Sequence, residues 1–351
     1  MPAADQTPGV LHLPMGLMWS MPVPVACSLA VATLGQGGGF GASCGQCPLD
    51  AEGRVLDPGD PVAQARRVAA LAQGVLAHLP PGHQAALLVV YHTADAGAQT
   101  AMMLAVLADA FPLAVLAPVR LPHFYYPGMT IEVDLYAIAG TPRVTVFRRL
   151  DAEVSVIDGG PLRLAHLAAP DAASADTVLS AAGLDARHLL SAHWFGDTAP
   201  PDVWTPDVWT PDPAARVLLP QGSGLSAVLT FAPGPASTLR TEGGAILRSA
   251  GRFAWLSATA ALTDLAKAAE AAMDALALPS LPSLTMLKAT THYAGGPGPD
   301  DLHANLAVRH ARFPRPGPAS TGVPVAGLAA ATLAIDMLAC RTDRQVSEPG
   351  S

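Results

Sequence analysis

The chain has 351 residues, half of them hydrophobic and 14% charged, with a mean hydropathy of +0.33, a net charge of −8 and a pI near 5.7. No run of 18 apolar residues occurs, so a membrane-spanning helix is excluded, and the absence of any Lys/Arg cluster excludes a nucleic-acid partner. Four cysteines (Cys27, Cys44, Cys47, Cys340) in a chain this long do not make a disulfide framework.

The stretch from Val10 to Leu34 is apolar but holds Pro14, Pro22 and Pro24, with no Lys or Arg before it, which is a poor match to a signal peptide. A reduced, cytoplasmic protein is expected. Strands are predicted over Leu29–Leu34 and Gly41–Pro48 around a glycine-rich turn. Cys44 and Cys47 have the spacing of a redox pair or half a zinc site, yet no second C-x-x-C or His pair follows at zinc-module spacing. Asp60 as N-cap, Pro61 at the first helical position and Pro80-Pro81 as a stop predict a helix between them. A strand over 85–94 and a helix over 96–111 follow.

The segment "YYPGMTIEVDLYAIAG" (125–140) reads as a turn and a strand in which Glu132 and Asp134 project from the same face. Two carboxylates on one side of so apolar a strand imply either a wet face or a chemical role. The order so far is hairpin, helix, strand, helix, strand. It recurs from 243 to 341: strands over 243–262, a helix over 264–278, a strand over 284–296, a helix over 300–313 and a closing strand over 331–341. In that copy Asp336 falls where Asp134 stood, and Ala334 replaces Glu132. A weaker copy lies between, with a hairpin over 152–168, a helix over 173–184 and strands over 188–195 and 224–232. Its second helix gives way to "PDVWTPDVWTPDP" (201–213), whose prolines forbid a helix; Trp204 and Trp209 are expected to serve local packing.

The inner strands end in Tyr91-His92, His193-Trp194 and His292-Tyr293. Three histidines around a pseudo-threefold axis would suit zinc, but aligning the aromatic neighbours matches only His193 with His292, and His92 slips to the opposite face. No metal site is assigned.

"CGQCPLDAEGRVL" (44–56) with its following helix, and "PGMTIEVDLYAIA" (127–139), resemble the YjgF/RidA family; "THYAGG" (291–296) and "DDLHANLAVRHARFPRPGPASTGVPVAGL" (300–328) resemble a subgroup of it. The resemblance implies an α+β fold in which each unit carries a chorismate-mutase-like β-sheet plus two helices. It implies three tandem units (20–141, a degenerate 142–233, and 234–342) closing into an intramolecular pseudo-trimer, with flexible termini at 1–19 and 343–351. Members hydrolyse reactive enamines and imines such as 2-aminoacrylate, with no cofactor, in clefts between subunits.

Carried over, the resemblance makes Glu132 the residue that positions the attacking water and Arg120 the arginine that grips a substrate carboxylate. Cys44, Gly45 and Gln46 replace the family's Ser-Gly-Gln, and Cys27 stands near a common pocket tyrosine. Tyr126 joins the substrate-binding set, and Arg216 takes the arginine position in the middle unit, which has no glutamate. The last unit has Ser320 and Ala334 at the two positions. The physical case for Glu132 stands beside this: a carboxyl held partly dry has a raised pKa suited to acid–base work. The expected partner is a small-molecule substrate, for a chain that is a monomeric pseudo-trimer or a dimer of these. The alternatives are a non-catalytic ligand-binding protein on the same scaffold, and a ring-opening or chorismatase-like pathway enzyme.

Overall fold

A computed structural model describes residues 5–342 except 8, 35–38, 94–97, 197–199, 202–203, 205–215, 219–223, 242, 279–280, 282 and 329–330; for 5–7 and 216–218 it describes the backbone alone. The first unit contains β1 (Asp5–Thr7), β2 (Val10–Pro14), β3 (Ser28–Thr33), β4 (Phe40–Ser43), α1 (Pro61–His78), β5 (His83–His92), α2 (Ala98–Ala110), β6 (Val115–Arg120) and β7 (Ile131–Ala139). The middle unit contains β8 (Arg143–Arg149), β9 (Ala152–Asp158), β10 (Arg163–Ala169), α3 (Ala172–Ala181), β11 (Leu189–Gly196), β12 (Arg216–Leu218) and β13 (Leu225–Phe231). The last contains β14 (Ser237–Arg240), β15 (Ile246–Ala250), β16 (Phe253–Ala260), α4 (Leu265–Leu276), β17 (Leu284–Tyr293), α5 (Pro299–Arg312), β18 (Ala319–Pro324), β19 (Gly327–Leu328) and β20 (Leu333–Arg341).

Strand pairing is the same in all three. The orders β2-β3-β4-β7-β5-β6, β8-β9-β10-β13-β11-β12 and β14-β15-β16-β20-β17-β18 each run antiparallel until the last pair, which is parallel. The first and last units join into one 13-stranded sheet through β18 and β3, where the amide of Ser28 donates to the carbonyl of Pro318 at 3.0 Å. The middle unit forms a separate 7-stranded sheet that borrows β19 from the last.

Local chemistry explains the elements. Asp60 accepts from the amides of Val62 and Ala63 and starts α1, whose Val68, Ala72 and Val75 are buried at helical spacing. α1 and α2 pack side by side, as do α4 and α5; among the described residues the middle unit has α3 as its one α-helix. Three outer strands carry weak sequence signals: β8 is mostly exposed and arginine-rich, and β6 and β18 lie in proline-containing segments. The expectation of a flexible segment over 1–19 does not hold for its described part. β2 zips onto β3, and Trp19 is buried, because the apolar run from Val10 onward supplies the outer strand of the first hairpin. Among the described residues no helix is long and apolar enough to cross a membrane.

The face of β7 that carries Glu132 is not wet. Ile131, Val133, Leu135 and Ala137 occupy the other face, on the side where α1 packs, while Glu132, Asp134 and Tyr136 face the last unit and are buried as well.

Candidate active site between the first and last units

Glu132 lies opposite Tyr91 in the β5–β7 ladder, and the chain after β4 runs along its other side. There Gln46 and Val133 exchange backbone hydrogen bonds of 2.8 and 3.1 Å, which brings Gly45 beneath the carboxyl. Glycine leaves the carboxyl its place: a Cβ at this position would overlap Glu132 Oε1 and push it aside. The Tyr125 hydroxyl donates to Glu132 Oε2 at 2.9 Å and stands 3.3 Å from Cys47 Sγ. Burial, then the neighbouring Asp134, push the Glu132 carboxyl from its ordinary 4.5 up to about 8, against the opposing pull of Tyr125, Lys288 and Cys47. At neutral pH it is a protonated acid.

Asp134, two residues on, is engaged in structure through its Oδ1. Lys288 Nζ from β17 sits 2.8 Å from Asp134 Oδ1 and donates to the carbonyl of Ser43 at 2.8 Å. Thr321 Oγ1 donates to the same aspartate oxygen at 2.5 Å. This buried cluster ties the two units together, so the two carboxylates of one strand face have different employments. Asp336, at the corresponding place on β20, instead stands 3.4 Å from His193 Nε2 of the middle unit.

Glu132 opens onto a cavity of about 30 Å³ walled by both units. The first unit gives Met15, Trp19, Met21, Val25, Cys27, Cys44, Gly45, Cys47 and Tyr125; the last unit gives Leu302, Leu306, His310, Ser320 and Gly322. Trp19 is fixed by its indole N–H donating to Gln46 Oε1 at 3.2 Å, and Gln46 Nε2 donates to the Cys44 carbonyl at 2.9 Å. Burial raises the thiols of Cys44 and Cys47 well above normal and that of Cys27 to about 11, so all three are neutral walls.

A helix brings a cation to the edge of this cavity. Arg309 on α5 is fully buried; its Nε and Nη2 donate to Asn305 Oδ1 at 3.0 and 2.8 Å, and its Nη1 donates to Ser320 Oγ at 3.2 Å. Gly322 leaves room for the guanidinium, since a Cβ there would meet Nη2 at 2.9 Å. Ser320 is the strand position at which the resemblance places an arginine, so a guanidinium reaches it from the side. Burial lowers Arg309 to about 10, which leaves it charged at neutral pH.

The expected site residues therefore divide. Glu132, Cys44, Gly45 and Cys27 meet at one cavity, with Gln46 buried against it. Tyr126 is not among its lining residues; its hydroxyl pairs with His303 Nε2 of α5 at 2.9 Å and its ring packs edge-on against Tyr125. Arg120, at the end of β6 on the far edge of the sheet, is not among the lining residues either. Arg216 is placed by its backbone in β12, opposite Trp194, and its side chain lies outside the described residues. Trp204 is buried, donating to Asp176 Oδ1 at 2.9 Å and packed edge-on against Phe231; Trp209 lies outside the described residues. Sequence reasoning missed Arg309, Asn305 and His310. Their signal was visible: they share the buried stripe of α5 with Leu302 and Leu306, and polar groups at 305 and 309 on such a stripe need an inward partner.

Tyr91, His292 and His193 occupy equivalent inner-strand places, opposite Glu132, Ala334 and Val228. His92 is opposite Ile131 on the other face, so the three histidines do not converge. Among the described residues no group of three or more His, Cys, Asp or Glu side chains is placed to hold a metal ion. A larger open groove of about 500 Å³ lies on the middle unit, but its Arg163 and Asp158 pair with each other at 2.7 Å.

No family model matches the sequence, and no curated protein matches it. Solved structures do. The crystal structure of a chorismatase aligns with 74% of this chain and 94% of its own, at 14% identity and a TM-score of 0.46. A Rid-family protein of unknown function from Yersinia pestis aligns with 37% of this chain and 98% of its own, at 22% identity and a TM-score of 0.25. Yeast Mmf1 aligns with 37% and 98%, at 16% identity and a TM-score of 0.29.

Proposed function

We propose that the cleft between the first and last units hydrolyses a small enamine or imine that carries a carboxylate, as the resemblance to the YjgF/RidA family implies, with the three units working as a covalent pseudo-trimer. The observation that carries this reading is Glu132: a buried carboxyl, oriented by Tyr125 and pushed up to about 8, at the wall of a cavity backed by the charge of Arg309. A neutral acid at this place is the right proton donor for an electron-rich alkene carbon.

In the proposed sequence Glu132 gives its proton to the terminal carbon of the enamine, and the C=C pair moves to make the C=N bond of an iminium ion. The carboxylate left behind accepts a proton from water as the water oxygen bonds to the iminium carbon. Glu132 then returns that proton to the nitrogen. The C–N bond breaks, the hydroxyl loses its proton back to Glu132, and a 2-oxo acid and ammonia leave with the acid form restored. An imine takes the Glu132 proton on its nitrogen, which gives the same iminium ion and carboxylate, and continues from the second step. Water addition is favoured by holding the reacting atoms together in a dry site. The space next to Glu132, about 30 Å³, admits a water, so a larger substrate needs the cavity to widen around it.

Arg309 supplies the cation expected of Arg120, but acts through Ser320 at the cavity wall and not on the substrate itself. The test is ammonia release from 2-imino acids, generated in situ by an amino-acid oxidase with semicarbazide as a competing trap. The reading expects acceleration for at least one side chain. No acceleration for any would overturn it.

A further inference from the structure

His310 is 6% exposed, lines the cavity, and has an Nε2 that meets no partner among the described residues. Its tautomer follows from its neighbour. The backbone amide of Ala26 donates to Nδ1 at 3.2 Å, so Nδ1 is the acceptor and the ring proton sits on Nε2. Burial and then the adjacent Arg309 lower this imidazole to about 3, so it remains a neutral N–H donor. A buried donor without an acceptor is costly, and native structures rarely keep one unless a bound group completes it.

A second donor stands with it. Ser320 Oγ lines the same cavity and accepts from Arg309 Nη1, which leaves its own O–H to be donated and makes that O–H more acidic. Both donors come from the last unit; the acid, Glu132, comes from the first. Met15, Trp19, Met21, Val25, Leu302 and Leu306 make much of the remaining wall apolar, beside the neutral thiols and Tyr125.

We propose that His310 Nε2–H and Ser320 Oγ–H form the oxygen-anchoring subsite of this cleft, holding the carboxylate of a substrate whose apolar side chain packs against the Met15–Met21 wall. The inference rests on the reading of the cleft as the active site and adds the donors and the substrate class. An unbranched, polar or charged side chain would leave the methionine and tryptophan wall unmatched, whereas a branched aliphatic or aromatic one fills it. Arg309 acts through Ser320 and is a positioning residue here.

The probe is 4-methyl-2-oxopentanoate, which has the oxo acid of the expected products and a branched side chain, titrated into the full chain by calorimetry. Its control is 4-methylpentan-2-one, the same body without the carboxylate. Replacing a hydrogen bond to a charged oxygen predicts that His310→Phe weakens the oxo acid about tenfold or more, with the ketone unchanged. His310→Gln keeps an N–H at the end of the side chain and is expected to recover most of the affinity. Ser320→Ala provides the same test should His310→Phe fail to fold. Equal oxo-acid affinity in wild type, His310→Phe and Ser320→Ala overturns the subsite, as does a wild type that does not bind at millimolar concentration. The titration needs no turnover: His310-dependent binding without ammonia release would sink the hydrolase reading and leave the subsite standing, and turnover indifferent to His310 would do the reverse.

Discussion

Replacing Glu132 by glutamine should stabilise the protein while it disables the site, and the gain should depend on pH. In the unfolded chain the carboxyl ionises near 4.5; in the fold it ionises near 8, because burial and Asp134 disfavour the charge. Between these values the folded state holds a proton that the unfolded state has lost, so the stability contributed by the neutral form is full below 4.5 and is lost as pH rises through 8. At about 1.36 kcal/mol per unit, the ionisation cost differs by about 3 kcal/mol between pH 5 and pH 8. Glutamine is neutral at both, and its carbonyl can still accept from Tyr125. Urea unfolding of wild type and Glu132→Gln, followed by tryptophan fluorescence, should show the variant's advantage growing by about that amount from pH 5 to pH 8. An advantage that is the same at both values, or that shrinks with pH, would refute the assignment of Glu132 as a buried neutral acid.

The same ionisation should appear in the kinetics: kcat/KM for an enamine substrate falls as pH rises past about 8, and a rate that keeps rising there would mean Glu132 is needed as a base. Gly45→Ala should leave the fold intact by circular dichroism yet cut turnover about tenfold or more, since its Cβ displaces the Glu132 carboxyl. Lys288→Met strands the buried Asp134 carboxylate and should cost about 3–5 kcal/mol in urea unfolding, much of it recovered by adding Asp134→Asn. Trp204→Phe keeps the packing against Phe231 but loses the bond to Asp176, a cost of about 1 kcal/mol by the same measurement.

Alternation and capping made most elements legible. Asp60-Pro61 marks the start of α1, and the period-two pattern of β7 puts Glu132 and Asp134 on one face, as the structure has them. What the pattern does not contain is the partner across that face. A strand's own residues cannot say whether a carboxyl faces water, a lysine 154 positions later or a pocket, and Asp134 and Glu132 divide between the last two. The outer strands were missed for a related reason. β8 is an exposed edge strand with three arginines, and β6 and β18 owe their pairing to neighbours distant in sequence. The cation was sought on a strand because the resemblance places it there. Here α5 delivers it over the top of Ser320, and only the inward-facing polar residues of that helix give it away.

The most direct test of the account compares ammonia release by wild type, Glu132→Gln and Arg120→Met from the same in situ imino acid. The account predicts that Glu132→Gln loses the acceleration and that Arg120→Met, outside the cavity wall, retains most of it. Retention in Glu132→Gln together with loss in Arg120→Met would contradict it, and would move the chemistry to a different cleft.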